Sequence, residues 1–133
     1  MRSCHRARGF TLLEIIIVLT IIAIIVSLAI PAYQAVILRA KESVLKQNLH
    51  LMRRQIEAFA ADRGRYPQSL QELVEKGYLR EIPLDPITGS RETWETIQED
   101  QPFSGDPEQQ PGIKDVKSGA KTVSSEGTPY NEW

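Results

Sequence analysis

The residue whose position most needs a chemical explanation is Glu14, a carboxylate at the edge of the most apolar run of the sequence. Among residues 15–30, only Thr20 and Ser27 carry polar side chains. An ionised side chain at the centre of a bilayer costs about 2.5–3.5 kcal/mol on insertion scales. A carboxylate at this place therefore needs either a cationic partner or access to the polar interface, and Glu14 is the first candidate for a functional residue.

Residues that build catalytic or metal centres are scattered along the chain. Cys4 is the single cysteine, and His5 and His50 lie far apart without companions at metal-ligand spacing. Ser118 and Ser124 have no histidine beside them in a recognisable nucleophile motif. A glycine-rich phosphate loop is missing as well. We therefore predict that the chain is not an enzyme and assign no catalytic and no metal-binding residues.

The charge balance argues against nucleic acid as a partner. The 133 residues include 16 Lys and Arg against 17 Asp and Glu, which gives a net charge of −1. Residues 1–9 contain arginines and no acid, so the rest of the chain is net acidic. A nucleic-acid-binding face requires a basic patch, which this distribution does not supply.

The apolar run predicts a membrane-spanning helix. Phe10 to Tyr33 is 24 residues, which as a helix measures about 36 Å and exceeds the roughly 30 Å hydrocarbon core of a bilayer. The run is apolar on all sides, so it offers no stripe for packing on a soluble core. The arginines that precede it favour a cytoplasmic N-terminus.

An ordinary secretory signal is an alternative interpretation of the same residues. A basic start, an apolar region over 15–28 and small residues up to Ala29 fit that pattern, and cleavage there would release a soluble binding module starting near Ile30. Two features favour an anchor. Glu14 is unhelpful to a signal that is only removed, and an amphipathic helix continues directly out of the run.

The sequence GFTLLE at residues 9–14, after a short basic leader and before an apolar helix, resembles the class III signal of type IV pilins and type II secretion pseudopilins. The resemblance implies that a prepilin peptidase cleaves after Gly9 and N-methylates the new terminus, Phe10. Glycine suits a narrow protease cleft because it has no Cβ. The new α-amino group, with an ordinary pKa of about 7.7–8.0, is mostly charged.

This resemblance offers a partner for the carboxylate at the edge of the apolar run. In an assembled filament, the Glu14 carboxylate would pair with the cationic terminus of a neighbouring subunit. Two alternatives stay open: the side chain reaches the membrane interface, or it pairs with the Phe10 amine of its own chain, four residues away on one helix face.

Pro31 lies inside the expected helix and predicts a kink or local melting near residues 26–30, because proline lacks an N–H and clashes with the preceding turn. Pseudopilins carry a proline in this region, so the resemblance assigns it to assembly. A plain kink at the membrane exit is the alternative.

After Pro31 the pattern changes to an amphipathic helix from about Tyr33 to Asp62, ended by Gly64 and Pro67. The apolar residues that share one face of this helix are Leu38, Leu45, Leu49, Met52, Ile56 and Phe59. We expect this face to pack on a C-terminal head.

The head begins with a short helix and a turn. Ser69 and Glu72 have the spacing of a capping box and predict a helix over about 70–76, closed by Gly77. The pair Asp85-Pro86 predicts a turn.

The rest of the head predicts a small sheet. Residues 91–98 have the alternation of a strand, and residues 99–112 form an acidic, proline-rich loop. Residues 113–133 would supply one or two more short strands, with Trp133 as a packing anchor.

The predicted fold is therefore α+β and pilin-like: a long N-terminal helix on a small head with a short helix and a small antiparallel sheet. Its segments are a removed leader (1–9), a transmembrane and assembly helix (10–33), the amphipathic half of the same helix (34–64) and a periplasmic head (65–133). The order of motifs after the long helix resembles that of the major pseudopilins of type II secretion.

The resemblance implies a structural subunit of the type II secretion pseudopilus, a helical homo-oligomer that supports protein export across the outer membrane. Its partners would be other pseudopilins, the prepilin peptidase, the platform protein and the assembly ATPase, and inner-membrane lipid. The subunit would cross the inner membrane once, with its head in the periplasm. A type IV pilin of a surface fibre is the alternative, although pilins typically carry a disulfide-bounded C-terminal region.

Major pseudopilins often bind calcium in their last loop through several aspartates and backbone carbonyls. Calcium takes six to eight oxygen ligands, usually with more than one carboxylate. Asp115 and Ser118 are present here, but Lys121 occupies a place where the family tends to carry an aspartate, and Asn131-Glu132 stands for the acidic pair. We assign no cofactor, and calcium in this loop stays an alternative.

Overall fold

The computed structural model describes residues 9–102 and 105–133. Predictions about leader residues 1–8 and about residues 103–104 of the acidic loop lie outside these ranges. The elements in chain order are α1 (Leu12–Arg63), α2 (Leu70–Glu75), β1 (Glu95–Gln98), β2 (Ile113–Lys117) and a 3₁₀ helix (Tyr130–Glu132). The predicted α+β class with one long N-terminal helix is confirmed. Contacts divide the chain between Ile37 and Leu38 into two units, of which the second holds the hydrophobic core.

In the second unit, one face of α1 forms the floor of the core. The buried residues of this face are Glu42, Leu45, Leu49, Met52, Ile56, Phe59 and Ala60. The predicted apolar stripe is thus confirmed from Leu45 to Phe59, because residues three and four apart lie on the same helix face. The prediction that Leu38 is the first buried member of this stripe is wrong, because its side chain is 39% exposed. Burial on this face begins only at Glu42, a position where the sequence pattern did not predict a buried carboxylate.

The end of α1 and the start of α2 follow the predicted signals. Gly64 adopts a φ of 67° and its N–H donates to the Ala60 carbonyl at 2.9 Å, which closes the helix. Ser69 caps α2 by accepting from the Glu72 N–H at 3.1 Å. The return bond of the box differs, since the Glu72 carboxylate accepts from the Gln68 N–H at 2.7 Å.

The predicted turn at Asp85 is confirmed, and its carboxylate is fully buried. One carboxylate oxygen accepts from the Ile87 N–H at 2.9 Å, and the Asp85 carbonyl accepts from the Gly89 N–H at 2.8 Å. The other carboxylate oxygen accepts from the Ser118 hydroxyl at 2.5 Å. The turn is thereby fastened to the residue that follows β2.

The sheet is a two-stranded antiparallel pair in which Glu95 lies opposite Lys117. The strand predicted over residues 91–98 is too long by its first four residues, because β2 ends at Lys117 and offers them no ladder partner. Trp94 is instead buried, and its indole N–H donates to the Pro83 carbonyl at 2.7 Å.

The C-terminal residues supply β2 but no second strand. An isolated bridge joins Val123 to Pro129, and a 3₁₀ helix follows it. Proline has no N–H to extend the bridge into a ladder, which accounts for a single strand where one or two were predicted. Trp133 packs against the core with its ring centroid 5.2 Å from that of Tyr130, so its predicted role as a packing anchor is confirmed.

Candidate processing and assembly site

Glu14 forms a reciprocal capping box with Thr11 at the start of α1. The Thr11 N–H donates to Glu14 Oε2 at 3.1 Å, and the Glu14 N–H donates to Thr11 Oγ1 at 3.2 Å. The first N–H groups of a helix have no partner within the helix, and the box satisfies two donors at this end. A carboxylate in the first turn also interacts favourably with the helix dipole.

The capping box supplies a partner for Glu14 that the sequence predictions omit. While Gly9 is attached, the nitrogen of Phe10 is a peptide amide and carries no charge, so Glu14 cannot pair with an ammonium group on Phe10. The amide of Thr11 takes that place. The signal that identifies Thr11 is T-x-x-E, the same spacing that predicts the cap at Ser69.

The bond between Gly9 and Phe10 lies before the helix, in exposed chain. Phe10 is 84% exposed. A Cβ built on Gly9 would meet no heavy atom within 4 Å. The described part of the chain therefore places no steric demand for glycine at this position, and a demand for a small residue would come from a molecule that binds the segment.

The N-terminal part of α1 is apolar and exposed on every side. Each Ile, Leu and Val between residues 15 and 30 is at least 47% exposed. In the described residues, α1 is the one helix long and apolar enough to cross a membrane, by length and composition. An apolar surface of this extent requires lipid or protein around it.

The two polar side chains of the run are satisfied within the helix. Thr20 Oγ1 donates to the Ile16 carbonyl at 2.7 Å, and Ser27 Oγ donates to the Ile24 carbonyl at 2.7 Å. In hydrocarbon an unpaired hydroxyl would cost several kcal/mol, of the order of 4–8 for transfer without any partner. These back-bonds therefore make the run compatible with a lipid environment.

Pro31 lies inside α1, but the helix continues through it. Residues 26–30 are helical, so of the predicted kink or local melting the melting is wrong for this chain, and the kink stays a prediction. The proline removes one donor, that to the Ser27 carbonyl, and leaves the other bonds of the turn available. A single missing bond does not end a helix that is long on both sides.

The residues that resemble a calcium loop are occupied by protein partners. Asp115 Oδ1 accepts from Arg53 Nε at 2.7 Å, and Ser118 donates to Asp85. Lys121 is exposed. Across residues 9–102 and 105–133, no three His, Cys, Asp or Glu side chains gather where they could hold a metal ion. The donor set present does not fit calcium, which needs several free carboxylate oxygens.

Comparisons with known proteins agree with the N-terminal geometry. Residues 4–30 match the family model described as prokaryotic N-terminal methylation motif. The type II secretion system core protein G of Klebsiella pneumoniae is 33% identical over 98 residues, which cover 62% of this chain and 70% of that protein. The corresponding protein of Pseudomonas aeruginosa is 31% identical over 94 residues, covering 59% and 66%.

A pilin also matches, over a shorter length. The type IV major pilin protein PilA of Myxococcus xanthus is 37% identical over 68 residues, which cover 51% of this chain and 31% of the pilin. No solved structure matches.

A methylation motif at the start of a long apolar helix, followed by a small α+β head, defines a type IV pilin-like protein. The similarity to core protein G of Klebsiella covers some three-fifths of the chain and 70% of that protein. Within the pilin-like class, the chain belongs to the family of type II secretion system core protein G.

Proposed function

We propose that this protein is a structural subunit of a type II secretion pseudopilus, as its family, the major pseudopilins, implies. A prepilin peptidase removes the leader after Gly9 and methylates Phe10. The subunit then resides in the inner membrane through the N-terminal part of α1, with its head in the periplasm. From there it assembles with copies of itself and other pseudopilins, driven by the platform protein and the assembly ATPase.

The observation that carries this proposal is the exposed apolar surface of α1 directly after the Gly9–Phe10 bond. A helix with no polar face is unfavourable in water, because it exposes apolar side chains on all sides. Its hydroxyls on Thr20 and Ser27 are paired within the helix and need no water as a partner. Lipid covers these apolar side chains before assembly, and the same helices of neighbouring subunits cover them in the filament.

The Glu14 carboxylate is the group that would pair with a cationic N-terminus after cleavage. In the uncleaved chain the carboxylate is held by the Thr11 amide. Cleavage creates an ammonium group on Phe10, next to that amide, and so brings a cation to the carboxylate end of the helix. We propose that the paired cation in the filament is the Phe10 terminus of a neighbouring subunit.

Mass spectrometry of the protein purified from its native membrane tests the proposal. We expect the mature chain to begin at Phe10, with the added mass of one methyl group on its N-terminus. A chain that begins near Ile30 would instead identify a secreted module and contradict the proposal.

A type IV pilin is the second candidate, favoured by the match to the Myxococcus pilin. That match covers about half of the chain and 31% of the pilin, whereas the match to the Klebsiella core protein G covers 62% of the chain and 70% of that protein. The two candidates share the N-terminal processing. A deletion strain distinguishes the two candidate functions. Loss of a pseudopilin abolishes export of secreted enzymes, whereas loss of a pilin removes surface fibres.

A further inference from the structure

The C-terminal residues are fastened to α1 by charged side chains on one face of the helix. Glu42, Lys46 and Arg53 contribute to this face, at spacings of four and seven residues, with the buried Leu49 between them. We name these three residues the charged clasp. All three bind residues of the segment 115–133.

Arg53 binds both ends of the segment 115–133. Its Nε donates to Asp115 Oδ1 at 2.7 Å. Its Nη2 donates to the Val116 carbonyl at 3.0 Å and to the Trp133 carbonyl oxygen at 2.7 Å. One guanidinium thus gathers a carboxylate and two carbonyl oxygens from both ends of the segment.

The other two members hold the middle of the segment. The buried Glu42 accepts from the Ser125 N–H at 2.7 Å, from the Ser125 hydroxyl, and from the Tyr130 hydroxyl at 2.8 Å. Lys46 Nζ lies 2.7 Å from Glu126 Oε1. It also lies 4.7 Å from the centroid of the Trp133 ring, where a cation is attracted by the ring face.

The oxygens that meet at Arg53 are of the kinds that a calcium ion would collect. Carboxylate and backbone carbonyl oxygens from separate parts of a loop are ordinary calcium ligands. Here Asp115 Oδ1 also accepts from the Val116 N–H at 2.7 Å, so its lone pairs are in use. A divalent cation at this place would have to displace a guanidinium, against electrostatic repulsion.

From this geometry we propose that the Arg53 guanidinium binds the oxygens of the C-terminal segment in place of a calcium ion, and that this head folds without calcium. The guanidinium is covalently part of α1, so it needs no ion from the medium. Its fixed fork places separate donors on three acceptors, which an ammonium group cannot reproduce in the same geometry. This inference goes beyond the proposed role in assembly and does not depend on it.

The test measures thermal unfolding of the full chain in detergent micelles, followed by near-ultraviolet circular dichroism. We expect the unmodified protein to have the same Tm, within about 1 °C, with excess EGTA and with added calcium chloride. Arg53→Met should lower the Tm by about 5–10 °C, and calcium should not restore it. Arg53→Lys should fall between the two.

Arg54→Met is the matched control, because Arg54 is the exposed neighbour on the same helix and takes no part in the charged clasp. If Arg53→Met does not fold, Arg53→Lys and a calorimetric titration of the unmodified protein with calcium chloride decide the matter. A Tm that rises with calcium, saturable heat of calcium binding, or equal Tm values for the Arg53 and Arg54 variants would overturn the inference. Because none of these measurements involves filaments or N-terminal processing, failure here leaves the proposed function untouched.

Discussion

At the scale of single residues, Glu42 is a carboxylate that hydrogen bonds hold in its charged form inside the head. Burial alone would raise its pKa, but the hydrogen bonds from Ser125 and Tyr130 outweigh burial and lower it below the ordinary 4.5. The same contact acts in the opposite direction on its partner: burial, and then the bond to Glu42, raises the pKa of Tyr130 to about 12. Both shifts favour the pair of an ionised Glu42 and a neutral Tyr130.

The first prediction concerns Glu42→Gln and pH. A carboxyl with a lowered folded pKa contributes stability above its unfolded value, near 4.5, and loses it as pH falls through the folded pKa. We expect Glu42→Gln to lower the free energy of unfolding by about 1–2 kcal/mol at pH 7, because the amide cannot accept all three bonds. The deficit should shrink as pH falls from about 4.5, the unfolded value, through the lower pKa that Glu42 has in the folded protein.

Urea denaturation at a series of pH values measures this difference. Comparing the variant with the unmodified protein is necessary because Glu72, whose pKa is lowered by its hydrogen bond from Arg65, adds to the acid loss in both. Glu57→Gln, at an exposed position of the same helix, is the control and should leave the profile unchanged. A deficit that is constant from pH 3 to pH 7 would contradict the role given to the Glu42 charge.

The second prediction separates the two roles of Glu14, helix cap and partner of a neighbouring subunit. Glu14→Leu removes the carboxylate, whereas Thr11→Val removes the hydroxyl that accepts from the Glu14 N–H and leaves the carboxylate in place. We expect Glu14→Leu to leave cleavage largely intact and to abolish filament assembly. Thr11→Val should cost the start of the helix about 1 kcal/mol and reduce assembly far less.

Filament yield after shearing, with cleavage followed by mass spectrometry, provides both measurements. Thr11→Ser, which retains the hydroxyl, serves as the control. If Thr11→Val and Glu14→Leu lose filaments to the same extent, the carboxylate acts through the cap alone and the intersubunit pairing is wrong.

At the scale of elements, the parts that the sequence predicts well are those fixed by local signals. The caps at Ser69 and Gly64 and the turn at Asp85 depend on residues within a few positions of one another, which a sequence displays directly. The stripe from Leu45 to Phe59 is likewise a local repeat. The start of β1 is different, because it depends on where β2 ends, at Lys117.

Local sequence patterns do not predict the contacts of the charged clasp, because its partners are distant in sequence. Arg53 meets Asp115 across 62 positions of sequence and Glu42 meets Tyr130 across 88. On a helical wheel, Glu42 lies on the apolar stripe, three residues before Leu45, and that misplaced charge is the one signal available. Its partners depend on the tertiary path of the last loop, which no spacing within α1 encodes.

The third prediction tests that tertiary path through Gly119. A Cβ built on Gly119 would lie 2.0 Å from the Thr93 carbonyl oxygen, a backbone atom that cannot move aside by changing a rotamer. We expect Gly119→Ala to separate the end of β2 from the segment before β1 and to destabilise the head by about 2–3 kcal/mol, measured by urea denaturation. Lys121→Ala, an exposed substitution two residues later, is the control, and an equally small loss in both variants would contradict the close approach.

At the scale of the whole molecule, the two units differ in whether their apolar side chains are exposed or buried. In the described residues, burial in α1 begins at Glu42, and the side chains from Leu12 to Ile37 are exposed. Hydropathy predicts that such a stretch leaves water, but it cannot distinguish lipid from neighbouring copies as the final surroundings. In contrast, the head contains its own core, closed by Leu73, Val116 and Tyr130 against the helix.

The fourth prediction follows from this division. A fragment beginning at Leu38 retains every buried core residue, so we expect a soluble monomer by gel filtration with cooperative thermal unfolding. A fragment beginning at His50 lacks Glu42, Leu45 and Leu49, and with them the bonds to Ser125 and Tyr130 and about 4–10 kcal/mol of burial from two large core side chains. Since small domains are stable by only about 5–15 kcal/mol, this second fragment should be unfolded. If the fragment from Leu38 aggregates or lacks a cooperative transition, residues 12–37 support the head as well as anchor it, and the two units are one folding unit.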